Sequence, residues 1–483
     1  MATRPIPTAD LSELVLLGID RGSAVPVLRQ VYLEVRRAIL AGALPPGGRL
    51  PATRALAARL GVARNTVVAA YEQLIAEGFV EGRVGAGTMV ARDLPTALEL
   101  APRPGAAAAP AAAVGLATPY GAEPFNTGRV GWDDRTRQVW RSLTLRRLQR
   151  PDPGMLGYAD PRGARPLREA IAQYLRAARA VRCDPEQVVV TAGAQQAIDL
   201  VLRVVLAPGD AVWVEDPCYP ALHAALVAAG AAVCPVPVDA QGMAVAAGVA
   251  AAPAARLAYV TPSSQYPLGV VLSMARRLEL LGWARRAGAW VLEDDYDSEF
   301  RYAGRPLAAL QGIDEAGRVI YVGSFSKVLF PGLRLGYAVV PPALLDAVLA
   351  ARLRTDWHPA AMAEGVVTDF LAEGHFAQHL RRMRVQYRAA RDVLVAALRD
   401  QVGDTLEVAA PEQGLKLLAR LRPGLSDVAV AEAAARRGVI ARAVSPMYLA
   451  APPVPALMLG FSGHEPGALR WAARQLAAAL SAR

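Results

Sequence analysis

Val319-Ile-Tyr-Val322-Gly323-Ser324-Phe325-Ser326-Lys327 is an apolar run of strand length that ends on two hydroxyls and an amine, and Arg334 follows seven residues later. A short apolar run bounded by such a turn is how a buried strand of a parallel sheet reads. The amine is conspicuous because the 53 Lys plus Arg of the chain include only two lysines, Lys327 and Lys416. Arginine serves wherever positive charge suffices, but it cannot replace lysine where a neutral primary amine must attack a carbonyl, since guanidinium keeps its proton. Rarity alone leaves either lysine as ordinary surface charge. The strand end separates Lys327 from that reading.

Other strand ends carry complementary parts. The run Gln187 to Thr191 passes through Ala192-Gly193-Ala194-Gln195-Gln196 into a helix, whose free first-turn amides suit a phosphate. Ser324, Ser326 and Arg334 add hydroxyls and a guanidinium for the same oxygens. Trp290 to Glu293 ends in Asp294-Asp295-Tyr296, which offers a carboxylate to a pyridine nitrogen and a phenol to a ring oxygen. The same acidic cluster also reads as a solvated loop or a magnesium site. Tyr219, after the run Ala211 to Glu215, can stack on a ring face. Together these are the parts that a phosphorylated pyridine aldehyde requires, set where open α/β sheets bind ligands. With Leu257 to Thr261 and Leu335 to Val340 the strand runs alternate with helical patterns at Pro166 to Ala178 and Gln195 to Leu206, which predicts an α/β fold on a largely parallel sheet. From about residue 355 onward, helices mixed with strands at Gly414 to Leu421 and Ala456 to Phe461 predict a smaller α+β subdomain.

Residues 21–92 hold ten arginines against four glutamates, most of the net charge of +10. Leu28, Val31, Val35 and Ile39 mark one helix face; Leu50 to Leu60, Gly61 and a second pattern through Val67, Tyr71 and Leu74 read as helix-turn-helix. Phe79 to Val90 alternates around a glycine-rich tip, as a wing would. In such a module the second helix enters the major groove, which places Arg64, Asn65 and Thr66 at the bases and Arg54 and Arg83 at phosphates or a base edge. The rival is a helical hairpin with a solvated basic face. Asp93 to Pro119, rich in Ala and Pro, reads as a linker.

Asp10, Glu13 and Asp20 interrupt the N-terminal stretch and it lacks a secretory pattern, so a cytoplasmic protein is expected, with no membrane span. Cys183, Cys218 and Cys234 suggest neither a disulfide framework nor a zinc set. His375 and His379 are spaced like metal ligands but lie among Arg381, Arg382 and Arg384, so no metal is expected there and the segment reads as a cationic face at a contact.

From about residue 24 to 480 the chain resembles the MocR family of bacterial regulators, a GntR-type winged helix joined to a fold-type I aminotransferase domain. The stretches that carry the resemblance are Gly48 to Ala58, Arg64 to Val67, Ala76 to Phe79, Ala207 to Asp210, Glu215 to Pro220, Thr261 to Pro267, Glu293 to Arg301 and Gly323 to Lys327. It implies a winged helix-turn-helix at 24–92, a linker at 93–119 and an aminotransferase-like domain at 120–483, its large part about 150–350 and its small part about 355–483. It further implies pyridoxal 5′-phosphate as a Schiff base on Lys327, Asp294 at the pyridine nitrogen, Tyr296 and Gln265 near the ring oxygen, and Tyr219 over the ring. Gly193, Ala194, Gln195, Ser324, Ser326 and Arg334 take the phosphate, joined by Tyr158 reaching across a homodimer to the other subunit's cofactor. The partners implied are a double-stranded DNA operator and a small amino-compound effector.

Three features depart from the family pattern. Where active aminotransferases carry a carboxylate-binding Arg in the last strand, this chain has Met458; Arg442 is the candidate substitute. Lys416 stands where related sequences often carry His. Ala52 and Ala63 stand at helix starts where a serine would cap. The expectation is a sensor that forms imines; a working aminotransferase and a sensor of pyridoxal phosphate itself are the rivals.

Overall fold

Apolar spacing of three and four along Val27–Leu40 produces the first helix, α1, which buries Val31, Tyr32, Val35 and Ile39. The structure, a computed structural model, describes residues 19–83, 87–94, 121–151, 153–304 and 307–481. The chain divides into two units, Met1–Ala111 and Ala112–Arg483. From residue 95 on, the stretch expected as a linker lies outside the described residues.

In the first unit, α2 (Thr53–Leu60) ends on Gly61, whose φ of 64° lets the backbone turn left-handed and directs its N–H to Ala57 O. That turn starts α3 (Arg64–Ala76). Strands β1 (Val80–Arg83) and β2 (Gly87–Val90) pair antiparallel behind it. Leu56, Val67, Tyr71, Leu74, Phe79 and Val90 close on the buried face of α1, and each large side chain buried contributes about 2 kcal/mol. The tip 84–86 and the side chain of Arg83 lie outside the described residues.

The second unit is built on β3 (Val188–Thr191), β4 (Ala211–Asp216), β5 (Ala232–Asp239), β6 (Gly242–Met243), β7 (Leu257–Val260), β8 (Trp290–Asp295), β9 (Val319–Ser324) and β10 (Gly336–Val339). Their order is β3-β10-β9-β8-β7-β4-β5-β6. The pairs β4·β5, β4·β7, β7·β8 and β8·β9 are parallel, while β10 runs antiparallel to both β9 and β3. Consequently β3, β9, β8, β7 and β4 all bring their C-terminal ends to one edge. The sequence patterns do not mark β5, which contains Pro235 and Pro237. It tolerates them because it pairs along its length only with β4, its other side meeting β6 at just Val238 and Asp239.

A second sheet, β11 (Leu406–Val408), β12 (Lys416–Leu421), β13 (Arg442–Ala443) and β14 (Ala456–Gly460), is antiparallel in the order β11-β12-β14-β13. Helices His375–Val402 and Pro466–Ser481 share a core with it through Leu394, Leu398, Leu417, Leu459, Leu469 and Leu476. The segment 379–391, expected as a cationic face at a domain or dimer contact, makes its contacts within the second unit. His379 is buried, bonded to Thr136 Oγ1 at 2.8 Å and Val328 O at 3.0 Å, and burial pushes its imidazole down to about 4. Arg382 pairs with Asp133, while Arg384, Arg388 and Arg391 donate to the carbonyls of Glu299, Tyr302 and Pro411. Those guanidiniums tie segments of this unit together. Among the described residues no helix is long and apolar enough to cross a membrane.

Candidate functional site

At the shared strand edge lies a cavity of about 290 Å³ lined by residues from both sheets of the second unit. One end is made for an oxyanion. Gly193, with φ of 127°, is the N-cap of the helix Ala194–Val205, and a Cβ there would sit 3.6 Å from both terminal nitrogens of Arg334. That backbone conformation is what calls for glycine, and the guanidinium stands beside the helix's free amides, which attract an anion by their partial charge. Arg334 itself holds φ of 51°, a left-handed conformation that costs a non-glycine residue about 1 kcal/mol and aims its side chain at this point. Ser324 and Ser326 line the same end, and Ser324 Oγ accepts from Ser326 N at 3.1 Å.

At the opposite wall the two-residue period of β8 divides the acidic cluster between two faces. Asp295 points away from the cavity, ion-paired to Arg179 at 2.8 Å and accepting from Tyr321 OH at 2.7 Å. Asp294 and Tyr296 line the cavity. Asp294 Oδ2 accepts from Tyr259 OH at 2.6 Å, whereas Oδ1 is buried with no partner among the described residues. Burial lifts this carboxyl to about 6, despite the opposing pull of the Tyr259 hydrogen bond. Among the described residues no group of His, Cys, Asp and Glu is arranged to hold a metal.

Lys327 Nζ donates to Thr127 O at 3.1 Å. Burial, reinforced by the charges of Lys416 and Arg442 and opposed by Asp297, lowers its ammonium to about 8. Lys416 reaches the same cavity from the first position of β12, donating to Tyr296 OH at 2.9 Å with Asp297 at 3.9 Å. Burial lowers its pKa also, against the attraction of Asp297. Tyr296 OH in turn donates to Ser264 O at 2.8 Å.

Gly193, Ala194, Gln195, Tyr219, Asp294, Tyr296, Ser324, Ser326, Lys327, Arg334 and Arg442 all line this one cavity. Gln265, expected near the ring oxygen, does not. Its amide donates to Pro217 O and Tyr266 O and accepts from Leu268 N, so it braces its own loop and ties it to the turn after β4. Tyr158 is 84% exposed and packs its ring on Trp357 and His358, outside the cavity lining of its own chain. Thr127, Tyr259, Thr261, Tyr266 and Asp297, which the sequence did not single out, also line the cavity. Met458 is fully buried beside Val444 and Met447, and its β14 position pairs with Arg442 on β13. Paired positions project to the same face, so a guanidinium stands one strand away from Met458. Arg442 donates to Tyr266 OH at 3.3 Å.

In the first unit Arg54, Arg64 and Asn65 are exposed and Thr66 is partly so. Neither Ala52 nor Ala63 supplies a side-chain cap, and α3 has no acidic residue in its first turn. The start of α3 therefore presents uncapped amides beside Arg64, whose Nε lies 3.4 Å from Thr53 Oγ1.

Residues 28–90 match the family of bacterial regulatory proteins of the gntR type, and residues 132–475 match aminotransferase class I and II. The two together define a DNA-binding regulator on a pyridoxal-phosphate enzyme fold. The chain is 39% identical over 97% of its length to the probable rhizopine catabolism regulatory protein MocR of Rhizobium meliloti, covering 96% of that protein. It is 36% identical over 79% of its length to the regulator TauR of Rhodobacter capsulatus, covering 80% of it. The second unit resembles the α-aminoadipate aminotransferase LysN of Thermus thermophilus, solved with N-(5′-phosphopyridoxyl)-L-leucine, with a TM-score of 0.66, 29% identity, and coverage of 74% of this chain and 90% of that one. The chain belongs to the MocR family of transcription regulators. The cofactor of this fold is pyridoxal 5′-phosphate, and the cavity fits it: an unpartnered buried carboxylate oxygen for a ring N–H, a primary amine, and an amide-and-guanidinium cradle for the phosphate.

Proposed function

We propose that the chain acts as a homodimer in the cytoplasm, reading an operator with α3 and an amino-compound effector with the cavity around Lys327. Gly193 to Gln195, Ser324, Ser326 and Arg334 would hold the cofactor's phosphate, Asp294 its ring nitrogen, Tyr296 its ring oxygen, and Tyr219 its face, with Tyr158 reaching the phosphate in the partner's site. Bound there, pyridoxal phosphate supplies an aldehyde that condenses reversibly with primary amines. Lys327 would hold that aldehyde in competition with the effector's amine, and the burial that lowers its ammonium to about 8 favours the neutral amine such an exchange requires. Arg64, Asn65 and Thr66 would contact bases, and Arg54 and Arg83 the backbone or a base edge.

The observation that carries the sensing reading is the exchange at the last strands. Met458 occupies the place of the enzyme family's carboxylate-binding Arg, and Arg442 stands beside it on the same face. With Asp294 and Arg334 committed to the cofactor and Lys416 paired with Asp297, Arg442 is a cation whose bond in the cavity is to a neutral phenol, so it suits an anionic or oxygen-rich group of the effector. The shifted guanidinium changes how a bound amine is aligned, and alignment is what separates turnover from binding. The effector moves the DNA-binding equilibrium only through its different affinity for two states of the protein.

The tests are spectroscopic and kinetic. The chain loaded with pyridoxal phosphate should be yellow and Lys327→Ala should not; a persistent band refutes the assignment. With amino donors and a keto acid the unsubstituted chain should turn over far below the ~1 per second of ordinary enzymes, and turnover at that rate sinks the sensing reading. Arg64→Ala should weaken operator binding about tenfold or more, and unchanged affinity counts against α3 as the reading helix.

A further inference from the structure

A second cavity, of about 350 Å³, adjoins the first, and Lys416 lines both. The two-residue period of β12 turns Lys416, Leu418 and Arg420 to one face, and all three line the second cavity. At its rim, Arg420 lies 3.8 Å from Glu407, two exposed side chains that compensate each other. Arg301, on the cavity wall, differs. Its Nη1 donates to the neutral Gln413 Oε1 at 2.8 Å, and its Nε is buried with no hydrogen-bond partner among the described residues. A buried guanidinium N–H without an acceptor is costly, and a ligand oxygen would relieve it.

We propose that the two cavities are compartments of one effector site, and that the second takes a carboxylate at the far end of an acidic amino compound, held by Arg301 and Lys416. The proposal rests on the reading of the first cavity as the amine-reactive site. Arg442 then takes the group nearest the amine and Arg301 the distal one, so the preferred effector is a primary amine with two anionic groups separated by a chain. Lys416, at the divide, gives up part of its contact with Tyr296 and Asp297 to meet the ligand.

The full-length chain, loaded with pyridoxal phosphate, is titrated with L-2-aminoadipate and with L-norleucine, which has the same carbon chain and no terminal carboxylate, and the change in the yellow band is read. The unsubstituted protein should bind aminoadipate about tenfold tighter, as the one newly gained charge-assisted contact, to Arg301, allows, since Lys416 only exchanges contacts that it already has. Arg301→Gln should reduce that preference to none while the band itself and the norleucine response persist. Leu418→Phe, which fills the second cavity without changing its charge, should do the same and covers the case in which Arg301→Gln fails to fold. Equal affinities in the unsubstituted protein, or a preference that survives both substitutions, overturns the proposal. No spectral response to either compound or to methylamine would instead refute the amine-reactive reading on which it stands.

Discussion

Asp294→Asn should stabilise the cofactor-free chain and weaken its hold on the cofactor. Burial raises the Asp294 carboxyl from 3.8 to about 6. Such a group binds its proton more tightly folded than unfolded. Stability is therefore complete below the unfolded value near 3.8, falls as pH rises through the interval to about 6, and carries a constant penalty above it. At about 1.4 kcal/mol per pH unit the penalty at neutral pH comes to about 3 kcal/mol. Asparagine removes the charge and keeps an oxygen for Tyr259, but its own amide N–H group then faces the place where Oδ1 has no partner, returning about 1–2 kcal/mol. The net expectation is a gain of about 1–2 kcal/mol near pH 7.5 and a loss near pH 4, where the carboxyl is already protonated. Urea denaturation at the two pH values, with and without pyridoxal phosphate, measures it. Saturating cofactor should reverse the order at pH 7.5, since a carboxylate can hold a protonated ring nitrogen and an amide holds it poorly. Equal destabilisation by the substitution at both pH values, with no reversal by cofactor, would refute the view of Asp294 as a carboxylate held in reserve for a cation.

Three further outcomes follow from local geometry. Ala63→Ser supplies the missing cap of α3 and should raise the stability of the first unit by about 1 kcal/mol, read as a higher melting midpoint; an unchanged or lower midpoint argues against the uncapped start. Asp216 accepts from Leu449, Ala450 and Ala451 N–H at 2.8, 3.0 and 2.7 Å, joining the end of β4 to the segment after β13. Asp216→Ala strands those donors and should cost about 3–5 kcal/mol in urea denaturation, whereas a loss under 1 kcal/mol would mean water replaces the carboxylate freely. His379→Gln, which keeps one donor for Val328 O, should bind pyridoxal phosphate more tightly than His379→Ala, because Val328 follows Lys327; equal affinities would remove His379 from any part in placing the lysine.

Much of the second unit was legible before its folding was known. Strands β3, β4, β7, β8, β9 and β10 are buried on both faces, so their apolar runs are uninterrupted and stand out locally. The residues at their ends could be read as one site because parallel strands deliver their ends to one edge. β5 escaped notice because its prolines argue against a strand, and only its place near the sheet's edge makes them harmless. Gln265 stays outside the cavity lining, and a glutamine in a loop gives no sign in the sequence of whether its amide faces a ligand or neighbouring backbone.

The sequence by itself determined the two-unit plan, the helix-turn-helix, the strand ends and the rarity of Lys327, all properties of local period and composition. Tertiary structure decided which side chains share the cavity. Lys416 lies 89 positions from Lys327 and arrives from another sheet; Arg442 reaches Met458's neighbourhood through backbone pairing of β13 with β14. Alternation along each strand fixes which side chains face the core, but for strands distant in sequence no tight turn fixes the partner or the offset, which are settled only when the buried faces pack together.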